Sequence, residues 1–209
     1  MNDNLSNLIF NGDEKDLELT RNTQPALLAV SMAIIKVLEN ELKIKTEDLV
    51  KVVFGHSLGE YSALSSINCL GLESAAQILR IRGDAMQESV INRETAMVAV
   101  LGLDIEKIES LLLEVDCDKD EICEIANDNC PGQIILSGTK KAVEIVCEQL
   151  KKIGARSIIS LKVSAPFHCS LMDSASIKMK DALENFIIKE PKVKFINNVE
   201  ANFVSDVSM

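Results

Sequence analysis

The pattern of apolar and polar positions divides the chain into helices and strands around one short stretch. An apolar, β-prone run at Val52–Phe54 leads into Gly-His-Ser-Leu-Gly at 55–59, and small residues at helical spacing follow. This order predicts a strand, a sharp turn and a helix. Upstream, residues 1–24 are polar and weakly patterned, and Thr23-Gln24-Pro25 opens an apolar segment that runs to Leu38. The segment predicts a largely buried helix with proline tolerated in its first turn.

From Thr95 the pattern changes to short strands alternating with helices. We expect strands at 97–101, 122–127, 133–137 and 156–163, helices at 105–115 and 139–153, and a turn at 129–132. The order β-α-β-β-α-β is that of the ferredoxin-like unit. A helix from Asp173 to about Phe186 and a strand at 193–196 follow. The sequence therefore predicts an α/β fold: a hydrolase-like parallel-sheet lobe with a nucleophile elbow, at 1–94 and 165–209, and an inserted ferredoxin-like α+β lobe at 95–164.

Composition narrows the possible partners and compartments. The chain has 209 residues, of which 47% are hydrophobic and 26% charged, as in ordinary globular proteins. Lys and Arg number 22 against 32 Asp and Glu, and the net charge of −10 argues against nucleic acid and anionic membranes as partners. The sequence shows no membrane-span pattern and no signal-peptide pattern, so we expect a cytoplasmic location. The six cysteines form no C-x-x-C pair, which favours buried, reduced thiols.

The Gly-x-Ser-x-Gly stretch predicts a serine nucleophile at position 57. Gly55 and Gly59 leave no side chains where the turn brings strand and helix together. Ser57 is thereby placed at a helix N-terminus, which favours developing negative charge. The N–H of the next residue, Leu58, is the natural first donor of an oxyanion hole.

A serine nucleophile needs a base, and the chain offers two histidines, His56 and His168. His56 is adjacent to Ser57, so we expect it to line the pocket or to pack beneath the turn. His168 follows Pro166-Phe167 in a loop that re-enters the main lobe, where it could approach Ser57 and act as the base. The alternative is a hydrogen-bonded structural histidine. No carboxylate stands out as a third member, so a backbone carbonyl is expected to orient the imidazole.

The apolar positions between Ser74 and Arg82 recur at helical spacing and predict a helix, and Arg82 is an arginine on this otherwise apolar helix. A buried arginine is normally paired with a carboxylate. One interpretation is an internal salt bridge with Asp84 or Glu88, and the other is a fork that binds the carboxylate of a substrate. Composition alone leaves the two open.

Several motifs together carry a resemblance to a known family. They are Gly-His-Ser-Leu-Gly-Glu-Tyr-Ser-Ala-Leu at 55–64, Met-Gln at 86–87, Asn-Asp-Asn-Cys-Pro-Gly-Gln at 127–133 and Val-Ser-Ala-Pro-Phe-His-Cys-Ser-Leu-Met at 163–172, with Thr-Gln-Pro-Ala-Leu-Leu at 23–28 and Ile-Asn-Asn-Val at 196–199. In this order they resemble the malonyl-CoA:acyl carrier protein transacylases over essentially the whole chain. The resemblance implies that a malonyl group passes from coenzyme A to a serine, and then to the phosphopantetheine thiol of acyl carrier protein, in type II fatty acid biosynthesis.

The resemblance also implies roles for individual residues. Ser57 matches the acylated nucleophile, His168 the base and acid, and Arg82 the group that holds the malonyl carboxylate. The positions that match the substrate site are His56, Met86, Phe167, Asn129 and Gln24. For Asn129, a role as a turn former before Pro131 explains the residue equally well. We expect no cofactor and no metal, a coenzyme A thioester as substrate, acyl carrier protein as partner, a monomer, and the cytoplasm or an organelle with this pathway.

The printed sequence departs from the family at both ends. The family opens with a strand and a Gly-Gln-Gly-Ser-Gln loop, whose first glutamine supplies the second oxyanion-hole N–H, and it continues beyond the Asn-Asn-Val strand. Neither segment is in the 209 residues, so we expect weak activity and reduced stability. Two other hypotheses about function stay open. The chain could be a serine esterase or thioesterase that uses the same elbow with water as acceptor, or a truncated, non-catalytic remnant.

An acidic carrier protein requires a locally basic surface on this acidic chain. Two groups of basic residues could provide it: Lys140, Lys141, Lys151, Lys152, Arg156 and Lys162 in the inserted lobe, and Lys189, Lys192 and Lys194 near the C-terminus. The alternative is that these residues are ordinary solvated helix faces.

Overall fold

The structure, a computed structural model, describes residues 4–204. The chain divides into two compact units. The first contains Met1–Leu17, Arg21–Gly83 and Met179–Met209, and the second contains Glu18–Thr20 and Asp84–Lys178. The outermost positions of the expected main lobe, 1–3 and 205–209, lie outside the described residues. The second unit is larger than the expected inserted lobe at 95–164, which it contains.

Helices and strands are mixed throughout, which confirms the α/β class. The helices are α1 (Leu5–Asn11), α2 (Glu14–Glu18), α3 (Thr20–Leu42), α4 (Thr46–Leu49), α5 (Gly59–Ser66), α6 (Leu72–Glu88), α7 (Ile105–Glu114), α8 (Lys140–Lys152) and α9 (Asp173–Leu183). The strands are β1 (Val52–Phe54), β2 (Thr95–Leu101), β3 (Cys123–Cys130), β4 (Gln133–Thr139), β5 (Ser157–Ser160), β6 (Lys194–Ile196) and β7 (Phe203–Val204). A 3₁₀ turn at Ser170–Met172 precedes α9.

The sheet of the first unit pairs strands that are far apart in the sequence. β1 and β6 are parallel, with Val53 opposite Phe195 and Phe54 opposite Ile196. Val53 and Phe195 are buried in one cluster with residues of α5 and the segment after it, so burial of this apolar face holds the pair together. β7 pairs with β6 in the antiparallel direction. The parallel sheet expected from the sequence therefore has one antiparallel strand, which returns along β6 after a short turn.

The N-terminal part of the chain differs from expectation in two respects. The stretch expected to be weakly patterned contains α1 and α2, and α1 begins where the Asn4 side chain accepts from the Asn7 N–H at 2.9 Å. In addition, α3 begins at Thr20, so Pro25 lies inside the helix and beyond its first turn.

The prediction that α3 is largely buried was wrong for the described structure. Leu28 and Met32 are buried, at 1% and 3% exposure. The opposite face is apolar but exposed, at Leu27, Val30, Ile34, Val37 and Leu38. An apolar pattern gives the faces of a helix that avoid water, but it does not say whether both faces are covered.

The second unit has the predicted β-α-β-β-α-β order. Its four strands form an antiparallel sheet in the order β3-β4-β2-β5, and α7 and α8 pack on one face around a core that contains Val100, Ile108, Leu136 and Val146. Two boundaries differ from expectation. Asn129 and Cys130 belong to β3 rather than to the turn, which is reduced to Pro131-Gly132 because Gly132 takes the left-handed conformation at φ 77°. β5 ends at Ser160 instead of continuing to residue 163.

Two general features of the described residues bear on the sequence analysis. Among residues 4–204, no helix is both long and apolar enough to cross a membrane. The six cysteines are free thiols, of which Cys69 and Cys169 are buried and Cys130 is exposed. Burial raises the pKa of the Cys123 thiol to about 12, so this thiol is protonated at neutral pH.

Candidate active site

The turn between β1 and α5 has the predicted strand–turn–helix form. Ser57 lies at its tip with φ 51°, in the left-handed region that residues other than glycine rarely adopt. Two backbone hydrogen bonds close the turn: the Gly59 N–H donates to the His56 carbonyl at 2.8 Å, and the Glu60 N–H donates to the Ser57 carbonyl at 3.1 Å. A non-glycine residue held in this conformation is typical of a functional position.

The two glycines of the motif do not contribute equally. A Cβ atom on Gly55 would lie 2.1 Å from the Gly59 carbonyl oxygen, so no side chain fits at position 55. A Cβ atom on Gly59 would meet no described atom within 4 Å. The expectation that both glycines keep side chains out of a close strand–helix contact was therefore wrong for Gly59, which contributes its backbone carbonyl to that contact and has open space beside its Cα.

Three predicted residues meet at the tip of the turn. Nη2 of Arg82, on α6, donates to Oγ of Ser57 at 3.0 Å, and Nη1 donates to Oε1 of Gln24 at 2.6 Å. Gln24 lies on α3 and is only 3% exposed. Its side chain therefore binds the guanidinium from within the protein interior. Burial lowers the pKa of Arg82, although an arginine remains charged at any physiological pH. Both acceptors are neutral, which favours the interpretation of Arg82 as a site for an anionic group.

The backbone N–H groups of the turn have different partners. The Ser57 N–H donates to Oδ1 of Asn198 at 2.6 Å. Among residues 4–204 the structure shows no hydrogen bond from the Leu58 N–H, so this donor is available to an oxyanion. His56 is exposed, so the expectation that it packs beneath the turn was wrong.

In the second unit, a network of side chains fixes the loop that carries His168. His168 is exposed and has φ 58°, again in the left-handed region. The Ser170 N–H and Oγ both donate to the carboxylate of Glu124, each at 2.7 Å. The buried Cys169 thiol donates to the Pro166 carbonyl at 3.2 Å. The backbone on the C-terminal side of His168 is thus tied to β3 by charge-assisted hydrogen bonds.

Two further predicted residues belong to one apolar cluster of this unit. Met86 is 7% exposed, and Phe167 packs against the same group of buried side chains. The Phe167 N–H points at the sulfur of Met97, at 3.2 Å. Asn129 lies elsewhere in the unit, exposed on β3, where the pairing with β4 shifts register between Asp128 and Cys130. Of the two interpretations left open for Asn129, the structure contradicts the turn-forming one, since the residue lies in an irregular part of β3.

Sequence reasoning missed three residues that hold these two loops. Asn198 and Glu60 contact the serine turn, and Glu124 contacts the histidine loop. Asn198 and Glu60 lie inside recognised motifs, but nothing in the pattern indicated what they contact. Glu124 gave no signal at all. Within the described part of the chain, no three His, Cys, Asp or Glu side chains are grouped closely enough to hold a metal ion.

Comparison with known proteins identifies similar sequences over nearly the whole chain. Residues 3–208 match the acyl transferase domain family. A malonyl CoA-acyl carrier protein transacylase of Bacillus subtilis (strain 168) is 42% identical over 203 residues, which is 97% of this chain and 62% of that protein. A transacylase of the same name from Haemophilus influenzae is 38% identical over 92% of this chain and 60% of its own length. The chain therefore spans about three fifths of these relatives.

Solved structures give the same result. The crystal structure of an acyl-carrier-protein S-malonyltransferase from Bartonella henselae has 46% identity and a TM-score of 0.89, and covers 97% of this chain and 63% of that one. A malonyl-transacylase solved in complex with its type II PKS acyl-carrier protein has 37% identity and a TM-score of 0.89, over 98% of this chain and 64% of that one. With the serine turn and the match over residues 3–208, the chain belongs to the acyl transferase domain family.

Proposed function

We propose that this chain transfers a malonyl group from malonyl-CoA to acyl carrier protein through a malonyl ester on Ser57. The observation that carries the proposal is the 3.0 Å contact between Arg82 Nη2 and Ser57 Oγ. In a malonyl ester, one carbonyl and one methylene group separate the free carboxylate from Oγ. A guanidinium at this distance can therefore form an ion pair with the acyl group while the ester exists. The names of the similar proteins support the same substrate.

Acylation uses Ser57 as nucleophile and His168 as base. Oγ of Ser57 attacks the thioester carbonyl carbon, and its proton passes to the imidazole of His168. The Leu58 N–H stabilises the oxyanion of the tetrahedral intermediate. The C–S bond then breaks, and the coenzyme A sulfur leaves as a thiol with the proton from His168. His168 is proposed because the chain has two histidines and the other, His56, adjoins the nucleophile in sequence.

The second half-reaction reverses these roles. The phosphopantetheine thiol of the carrier gives its proton to His168 and attacks the ester carbonyl. The C–O bond breaks, and Ser57 leaves with the proton from His168. The products are free enzyme and malonyl-carrier, which together with the first step gives a ping-pong reaction. The proposed reaction uses no cofactor. We propose that the protein acts as a monomer in the cytoplasm or in an organelle with a type II pathway.

Arg82 is proposed to set the acyl specificity. The guanidinium is largely removed from solvent and is held by the amide oxygen of Gln24. A malonyl carboxylate gives this cation an ionic partner, whereas an acetyl group leaves it with neutral acceptors only. We propose that Phe167 excludes acyl groups with bulkier α-substituents, and that Met86, His56 and Asn129 contact the remainder of the substrate.

The first experiment is intact-mass analysis of the 209-residue protein after mixing with malonyl-CoA. We expect a malonyl adduct on the wild type and none on Ser57→Ala. In the absence of a carrier thiol the adduct should persist, because the chain is a transferase; rapid loss would indicate an esterase or thioesterase. A folded protein that forms no adduct would contradict the proposal for this chain and favour a non-catalytic remnant.

A second experiment tests the specificity of Arg82. For Arg82→Ala we expect kcat/KM for malonyl-CoA to fall about 1000-fold, with a much smaller change for acetyl-CoA. Arg82→Lys keeps the charge but loses the bidentate geometry. Its kcat/KM for malonyl-CoA should therefore lie between those of the wild type and Arg82→Ala. An equal loss for both substrates would show that Arg82 supports the fold rather than the choice of acyl group.

The basic residues that the sequence offers as carrier contacts differ in whether their charge already has a partner. Three of the basic residues are in ion pairs: Lys140 with Glu94, Lys141 with Asp118 and Lys192 with Glu47. Lys151 and Lys152 lie in the last turn of α8, and Lys152 Nζ contacts the neutral Gln149 at 3.2 Å. Because their charge is not committed to a described carboxylate partner, we propose these two lysines as contacts for the acidic carrier.

Charge reversal tests this surface. Lys151→Glu with Lys152→Glu should raise KM for the carrier about tenfold, and the effect should shrink as salt is added. Lys141→Glu is the matched control at the other end of the same helix, where the exposed lysine already has a partner. Acylation by malonyl-CoA should not change in either variant. Carrier kinetics equal to wild type in the double variant would exclude this surface.

A further inference from the structure

The side chain of Asn198 contacts the serine turn at Ser57 and at Gly55. Its side-chain Oδ1 accepts from the Ser57 N–H, and its Nδ2 donates to the Gly55 carbonyl, both at 2.6 Å. One amide group therefore bridges Gly55, the first residue of the turn, and the nucleophile itself. These two bonds close the turn from outside the chain segment 55–59, in addition to the bonds that it makes within itself.

Glu60 fixes the orientation of this amide. Its Oε1 accepts from Asn198 Nδ2 at 2.8 Å and also from the Asn198 backbone N–H. If the amide were rotated by half a turn, Oδ1 would face the Gly55 carbonyl and the Glu60 carboxylate, while Nδ2 would face the Ser57 N–H. Every contact would then join two acceptors or two donors. The orientation with Oδ1 on the Ser57 N–H is the one that satisfies the Ser57 N–H, the Gly55 carbonyl and the Glu60 carboxylate.

The pairing of β1 with β6 explains why Asn198 reaches the turn. The two strands are parallel, and their last residues, Phe54 and Ile196, are opposite each other. The segments that leave these strands therefore start at the same edge of the sheet, and Asn198 is the second residue after β6, as His56 is after β1. Residues separated by 141 positions in the sequence become neighbours in this way.

We propose that Asn198, oriented by Glu60, is a positioning residue for the nucleophile. Its amide holds Ser57 in the left-handed conformation that directs Oγ outwards. It also occupies the Ser57 N–H, so that the Leu58 N–H is the donor that the turn offers to an oxyanion. The inference rests on the proposed function for the identity of the acyl donor, but the geometry it describes applies to any reaction of the Ser57 hydroxyl.

The test compares Asn198→Ala with a control at the preceding asparagine. Asn197 Oδ1 accepts from the Glu200 N–H at 3.0 Å, so Asn197→Ala changes the same segment without touching the serine turn. For Asn198→Ala we expect the first-order rate of Ser57 acylation by malonyl-CoA to fall about 100-fold. The malonyl-CoA concentration that gives half of the maximal rate should change less than about threefold, because Arg82 and Gln24 are intact. Asn197→Ala should behave like wild type.

A fluorophosphonate probe separates the positioning role of Asn198 from the proposal that malonyl-CoA is the substrate. The probe labels an activated serine and carries no malonyl group. Labelling of Ser57 should fall in Asn198→Ala to the same extent as acylation. If the wild type is labelled by the probe but not by malonyl-CoA, the substrate proposal fails while the positioning role is still measured. Wild-type labelling by Asn198→Ala, with circular dichroism showing a folded protein, would overturn the positioning role.

An exchange of charge provides a second test in case Asn198→Ala folds poorly. Asn198→Asp keeps an acceptor for the Ser57 N–H but places two carboxylates together, so acylation should be slow. Adding Glu60→Gln supplies an amide that can donate to the new carboxylate, and we expect the double variant to be about tenfold faster than Asn198→Asp alone. A double variant no faster than Asn198→Asp would contradict the pairing with Glu60.

Discussion

Ser57 and His168, the two residues proposed to carry out the chemistry, are held in similar backbone conformations by different means. Their φ angles are 51° and 58°, both in the left-handed region. Ser57 lies between a strand and a helix, in a turn that Gly55 makes possible through close backbone contact. His168 lies in an irregular segment whose C-terminal side is tied to Glu124 through Ser170. The serine turn therefore combines close backbone packing at Gly55 with the side-chain bonds of Asn198, whereas the described bonds on the C-terminal side of His168 come from side chains.

The largest effect is expected from Gly55→Ala. The new Cβ would lie 2.1 Å from the Gly59 carbonyl, so the strand and helix would have to separate. We expect loss of about 3 kcal/mol or more of stability and loss of measurable Ser57 acylation. Gly59→Ala is the matched control, since its Cβ meets no described atom within 4 Å, and its stability should change by less than about 1 kcal/mol. Thermal melts and intact-mass acylation measure both. A fully active Gly55→Ala would refute the dependence on backbone contact.

An intermediate effect is expected at the histidine loop. Glu124→Ala removes both acceptors of the Ser170 N–H and Oγ, and we expect turnover to fall about tenfold or more while the fold is kept. Glu124→Gln retains one acceptor oxygen and should recover part of the loss. Ser170→Ala removes only the hydroxyl bond and should lie near Glu124→Gln. Steady-state kinetics of the three variants provide the measurement. Wild-type turnover in Glu124→Ala would show that the loop is positioned without this carboxylate.

The smallest effect concerns the pH dependence of stability in the unit that contains the serine turn. A hydrogen bond from Lys36, followed by one from the Thr46 N–H, lowers the pKa of Glu39 from 4.5 to about 2. Because the folded pKa lies below the unfolded pKa, this stabilisation is present above pH 4.5 and is lost as the pH falls towards 2. Thermal melts followed by far-UV circular dichroism should show less acid sensitivity in Glu39→Gln than in wild type. Equal sensitivity would exclude Glu39 as a contributor.

Local features of the sequence predicted a large part of the fold. The strand, the turn and the helix around Ser57 follow from apolar periodicity and glycine placement, which act over a few residues. The strands and helices between Thr95 and Ser160 are likewise short segments, each with its own pattern, and their order indicates the ferredoxin-like unit. The errors occurred where burial depends on a distant partner, as on the exposed face of α3.

The sequence by itself determined which chemical groups Ser57 and Arg82 offer, a hydroxyl in a tight turn and a guanidinium, because residue type and motif already limit what each can do. Only the tertiary structure decided their partners. The bond from Asn198 to Ser57 spans 141 positions, the bond from Arg82 to Ser57 spans 25, and the bond from Glu124 to Ser170 spans 46. Such contacts depend on the register of strand pairs such as β1 and β6, and a shift of one residue in that register would place a different side chain beside the turn. Local pattern specifies elements, whereas long-range pairing specifies which side chains meet.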